Sequence, residues 1–139
     1  MSDPHDLQRF IAAQTPLYSQ VCAELAAGAK ASHWMWFVFP QLKGLGHSPM
    51  AQHYGIASLA EAQAYWQHPV LGARLKQCTV LMLAVQGKTA LQVLGSPDNL
   101  KFHSSMTLFA RAAPDEPVFA QALQKYFGGR ADPATLDLL

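Results

Sequence analysis

The run SLAEAQAYWQHPVLGARLKQCTVLMLAVQG, from Ser58 to Gly87, decides how the rest of the chain reads. Ser58 followed three residues later by Glu61 is a capping box, in which the hydroxyl takes a first-turn amide and the acid reaches back. His68-Pro69 then starts a new helix, because proline at the first helical position gives up no hydrogen bond. Leu71, Leu75, Cys78, Met82 and Val85 recur at helical spacing, and Gly87 ends the run. Two helices, about 59–67 and 69–85, are expected with only a corner between them.

The same punctuation extends in both directions. Thr15-Pro16 opens a helix to about Ala27, closed by Gly28, and Ser48-Pro49 opens a short one to Tyr54, ended by Gly55. Thr89 caps Ala90–Leu94 ahead of Gly95, and Ser96-Pro97 opens a helix to about Ala112. Glu116-Pro117 leads one to about Phe127 before Gly128-Gly129, and Asp132-Pro133 begins a last short turn. A shorter helical start lies near Asp6–Ala13. The expectation is an all-α fold, a compact single domain of about eight mostly short helices spanning residues 1–139, with 1–5 flexible. One piece resists assignment: Trp34-Met35-Trp36-Phe37-Val38-Phe39 is apolar on every side and reads equally as buried helix or buried strand. Pro40 disfavours helical geometry at Phe39, so any helix there ends early.

Composition narrows the function classes. Half of the 139 residues are hydrophobic and 14% are charged, enough apolar surface for a core without metal or disulfide staples. Ten Lys+Arg against nine Asp+Glu leave a formal charge of +1, with the basic residues spread along the chain. That balance supplies no field to gather nucleic acid or an anionic membrane. The longest uninterrupted apolar run, Trp34–Pro40, falls far short of the ~20 residues of a membrane span. The start, MSDPHD, lacks the basic and apolar parts of a signal peptide, so a cytoplasmic protein is expected. Cys22 and Cys78 both fall on apolar stripes and are expected to be buried and reduced. The six histidines include no i,i+4 pair, and paired cysteines are absent, so no metal is expected. Nor does the chain carry a phosphate-loop or nucleophile-elbow motif, and no cofactor is assigned.

Three segments exceed what a core needs. In Ser32–Gln41, Trp34 and Trp36 offer flat faces and indole donors, with His33 and Gln41 at either end. In Gly44-Leu45-Gly46-His47-Ser48-Pro49, Gly46 permits close backbone approach and Ser48 stands at a helix start suited to an anion. In Ser96–Phe109, Phe102, Met106 and Phe109 form the core stripe, while His103, Ser104, Thr107 and Arg111 group on a face expected to be solvated. Lys101 and Ser105, four residues apart, flank the core stripe, and Asp98 stands in the first turn.

The segments SHWMWFVFPQLKGLGHSPMAQHYGI, HPVLGARLKQC, GSPDNLKFHSSMTLF and YFGGRADPATLDLL, in this order, resemble the bacterial family designated domain of unknown function 1810. The likeness runs from about Asp6 to Leu139. It implies a mainly helical fold and carries over no activity. Two positions depart from the pattern: Gly55 stands where the family suggests Ala, and His103 where it suggests Arg.

That likeness places the three segments in one pattern, and the residues themselves make a shared pocket for an anionic nucleotide- or sugar-phosphate-like small molecule the preferred expectation. Trp34 or Trp36 would stack on its flat part, with Gln41 alongside. Gly46, Ser48, Lys101, Ser104 and Ser105 would hold its charge. His33 and Asp98 are the acid–base candidates should the site be a hydrolase. The alternative is a non-enzymatic protein-interaction module with internal aromatics and solvated hydroxyls. The sequence assigns no oligomeric state.

Overall fold

A computed structural model describes residues 2–139, so Met1, part of the 1–5 segment expected to be flexible, lies outside the described residues. Ten helices follow one another: α1 Gln8–Gln14, α2 Tyr18–Ala26, α3 Met35–Val38, α4 Pro49–His53, α5 Leu59–Gln67, α6 Pro69–Ala84, α7 Ala90–Leu94, α8 Asp98–Ala112, α9 Pro117–Phe127 and α10 Pro133–Leu138. The fold is all-α. The two elements beyond the expected eight are the early α1, where a helical start was expected, and the single turn α3, which settles the middle of Trp34–Phe39 as helical. Phe39 leaves helical geometry ahead of Pro40, as the proline requires. Among the described residues the sole β feature is a parallel bridge between Leu42 and Ile56. It ties the loop after α3 to the segment after α4, with Ile56 N–H donating to Gln41 O at 2.9 Å.

Most caps act as the sequence predicts. Ser48 Oγ accepts from Ala51 N–H, Ser58 Oγ from Glu61 N–H, and Thr89 with Gln92 completes a full capping box. His68 caps α6 with its ring, Nδ1 accepting from the amides of Val70 and Leu71. Three expected caps do not form. Thr15 is instead the last turn of α1, its hydroxyl donating to Ile11 O, so α2 starts only at Tyr18. Ser96 leaves the first turn of α8 to backbone carbonyls, with Asn99 N–H on Gly95 O and Lys101 N–H on Pro97 O. Asp132 caps no amide of α10; its carboxylate takes the hydroxyls of Thr135 in that helix and of Ser104 in α8. Nor does Glu61 complete its box: its carboxylate takes Ala57 N–H and pairs with Arg9 at 2.8 Å.

The long helix α8 is the axis of the molecule, packed against α5, α7, α9 and α10, while α6 closes the other side against α1, α2, α5 and α9. Between them aromatic rings meet edge to face, Phe39 on Phe102 at 4.9 Å and Phe10 on Tyr65 at 5.0 Å. Such pairs add to the burial energy of rings that already dominate the core. Gln14, buried among them, donates from Nε2 to Phe37 O and Tyr65 Oη, so the carbonyl end of α3 is not left bare. No helix among the described residues is long and apolar enough to cross a membrane.

Candidate functional site

One wall of the site is a loop that Glu24 organises. Its carboxylate accepts from the amides of Ala31 and Ser32, the Ser32 hydroxyl, the Trp34 indole N–H at 2.9 Å, and Gln20. Burial works against ionisation here, but those donors outweigh it and hold the carboxyl at about 2. With residues 31–34 fixed, Lys30 is pinned too: its amide donates to Val93 O and its ammonium to Ser32 O at 2.6 Å.

The opposite wall is the first turn of α8, and between them lies a cleft of about 540 Å³. Lys30 Nζ is 2.8 Å from one oxygen of Asp98, and Lys101 Nζ is 3.9 Å from the other. Two ammonium groups thus converge on a single carboxylate. Lys101 also lies over the Trp36 ring, 5.0 Å from its centre. The Trp36 indole N–H, with no surface of its own, has no hydrogen-bond partner among the described residues. Ser32, His33, Ser48 and Ser96 complete the polar lining.

A second cleft of about 410 Å³ adjoins the first and shares Lys101 and Pro97 with it. Gln41, Leu45 and Gly46 line it on one side, and Leu100, His103, Ser104, Asp132 and Ala134 on the other. Gly46 has to be small: a Cβ there would sit 2.6 Å from that of Ala51 and 3.2 Å from the Gln41 amide. Asp132 forms the floor of a polar seam. Its carboxylate accepts from the hydroxyls of Ser104 at 2.8 Å and Thr135 at 2.6 Å, and its amide donates to Thr107 Oγ1. Burial would raise its pKa, but these hydroxyls and nearby His103 prevail and lower it.

The structure therefore gathers His33, Trp36, Ser48, Asp98 and Lys101 in the first lobe, and Gln41, Gly46, Lys101 and Ser104 in the second. Two candidates stand apart from both. Trp34 is wholly buried, with its indole committed to Glu24, so it has no free face to stack on a ligand. Ser105 is equally enclosed, turned into the core side of α8. The face of α8 expected to be solvated is so only in part: Arg111 is exposed, but Ser104 and Thr107 are buried in the seam that docks the segment leading into α10. His103 stacks on Phe127 with ring centres 4.0 Å apart and bonds Arg130 O, so it packs against the segment that follows α9. Lys30, Ser32 and Ser96 escaped selection. The one hint at Lys30 was its place between the Gly28 stop and the aromatic segment.

Among curated proteins none matches the chain. A crystal structure of a conserved hypothetical protein from Mycobacterium tuberculosis is 57% identical over 99% of this chain and 98% of that one, with a TM-score of 0.97. The likeness thus extends to both walls of the cleft. A family model described as "Protein of unknown function (DUF1810)" matches residues 4–139. Helices, loops and both lobes all fall within that match, and the chain belongs to this family.

Proposed function

We propose that the protein binds a small anionic molecule of nucleotide or sugar-phosphate type, in the cytoplasm, with Lys101 at the centre of the site. The observation that supports this reading is the convergence of Lys30 and Lys101 on Asp98 alone, beside the Trp36 ring. One carboxylate offsets one of two ammonium charges, and the remaining charge is available to a phosphate or carboxylate, for which charge-assisted bonds are strong. The Ser48 and Ser96 hydroxyls supply neutral donors around it, while that of Ser32 is spent on Glu24. Trp36, not Trp34, is the ring within reach of a ligand. If the bound molecule is hydrolysed, His33 is the group placed to move a proton, because the oxygens of Asp98 are engaged by lysines.

The test is a thermal-shift panel of nucleotides, sugar phosphates and inorganic phosphate, followed by titration of each hit against Lys101→Ala. Removing the ammonium should weaken a hit by about 1.5–3 kcal/mol, the range for a hydrogen bond to a charged group. Stability should fall by only about 0.5–1 kcal/mol, for the lost cation–π contact with Trp36. If no anion in the panel stabilises the protein, or a hit binds Lys101→Ala undiminished, the anion reading fails and a protein-interaction module becomes the better account.

A further inference from the structure

The two lobes on either side of Lys101 differ in chemistry, and that difference specifies the shape of a ligand. The first holds the Lys30 ammonium and the hydroxyls of Ser48 and Ser96, and Lys101 borders both lobes. The second presents Leu45, Pro97, Leu100 and Ala134, with the Gln41 amide as a neutral donor and acceptor. At the end away from the shared Lys101 its floor is the Asp132 carboxylate, which two hydroxyls stabilise in the ionised form. An anionic group placed there would face a like charge in a partly enclosed space, where repulsion is much stronger than in water. An uncharged ring or chain would instead cover apolar surface.

We infer that the ligand is charged at one end only, a phosphomonoester-type anion in the Lys30–Lys101 lobe joined to an uncharged body in the Leu100–Ala134 lobe. A nucleoside monophosphate has this arrangement, whereas a molecule that carries a second phosphate on its nucleoside body does not. The inference rests on the anion-binding reading of the first lobe and extends it to the second. Each lobe is larger than a phosphate requires and within the range of small-molecule sites, so a phosphate alone leaves the second lobe unused.

The experiment titrates the full chain with inorganic phosphate, adenosine monophosphate and adenosine 3′,5′-bisphosphate. The monophosphate should bind about tenfold or more tighter than phosphate, a modest gain for burying a ring. The bisphosphate should bind no tighter than the monophosphate. Ala134→Trp, which fills the second lobe from an exposed position, should reduce the monophosphate to the affinity of phosphate and leave phosphate unchanged. Leu100→Lys replaces an exposed leucine with a good helix former, so it tests the charge argument even where the tryptophan disturbs folding. In that variant the bisphosphate should overtake the monophosphate by about tenfold, the scale of one charge-assisted bond. Phosphate binding without any gain from the nucleoside overturns the two-lobe inference alone. So does a bisphosphate that binds tightest to the parent protein, or a monophosphate indifferent to Ala134→Trp. Failure of every phosphate to bind overturns the anion site itself.

Discussion

Single residues set both the frame of the cleft and the limits of reading it from sequence. Glu24 has several donors on one carboxylate, and its pKa falls from an ordinary 4.5 to about 2 on folding. The folded protein therefore holds this proton less readily than the unfolded chain, so Glu24 stabilises the fold fully above pH 4.5. The contribution fades as the pH drops through about 2. Glu24→Ala should cost about 1–3 kcal/mol at neutral pH, because the buried Trp34 indole loses its acceptor. Urea titrations at pH 7 and pH 3 check this, and the gap between parent and variant should narrow at the lower pH. The thiols divide differently from expectation. Cys78 is buried, and burial, with the neighbouring Cys22 in support, pushes its thiol up to about 12, so it should resist a thiol reagent in the native state. Cys22 is only half-buried and should label first, a difference that mass spectrometry over a labelling time course resolves. The apolar stripe read from the sequence placed Cys22 on an apolar face without showing how close to its edge. The same limit explains Trp34 and Trp36. A four-residue helix has too little period for a sequence to tell its inward ring from its outward one.

At the level of elements, local chemistry was legible and remote chemistry was not. Caps depend on residues two or three positions apart, so Ser48, Ser58 and Thr89 were readable from the chain itself. Asp132 looked like a cap on the same evidence, but besides the Thr135 hydroxyl three residues on it takes that of Ser104, 28 residues away, and Thr107, which takes its amide, lies 25 away. A pattern of neighbours cannot reveal such competition. Hydroxyls on α8 consequently looked solvated when they are the fastening for the segment entering α10. The corner between α5 and α6 was legible at His68-Pro69, but not how tight it is. A Cβ on Gly72 would sit 2.1 Å from the carbonyl oxygen of Trp66, which belongs to backbone and cannot swing aside. Gly72→Ala should therefore destabilise by about 3 kcal/mol or more, at or beyond the usual upper range for overpacking, despite alanine's better helix propensity. A fall in melting temperature measures it; a neutral or stabilising result would show that the corner can open.

For the molecule as a whole, caps and amphipathic runs were enough to predict the all-α class, because each helix announces its own ends. What they could not show is how distant segments are fastened. Arg9 spends its whole guanidinium on this, donating to the carbonyls of His5 and Asp6, to those of His53 and Gly55, and to Glu61. Nothing near Arg9 in the sequence distinguishes it from a surface arginine. Arg9→Leu should cost about 3–5 kcal/mol, since Glu61 would be left as a buried charge without its partner. The midpoint of urea unfolding reports that loss, and a shift below about 1 kcal/mol would mean that Glu61 finds water instead. The clamp also carries a timing consequence. Its most distant partner, Glu61, follows Arg9 by 52 residues in the chain. At a synthesis rate of about 5–20 residues per second, α1 waits roughly 3–10 seconds on the ribosome before that partner exists. During that interval the apolar face of α1, with Phe10 at its centre, has no core to enter. The N-terminal segment is therefore the part of the newborn chain most dependent on being shielded until its anchor arrives.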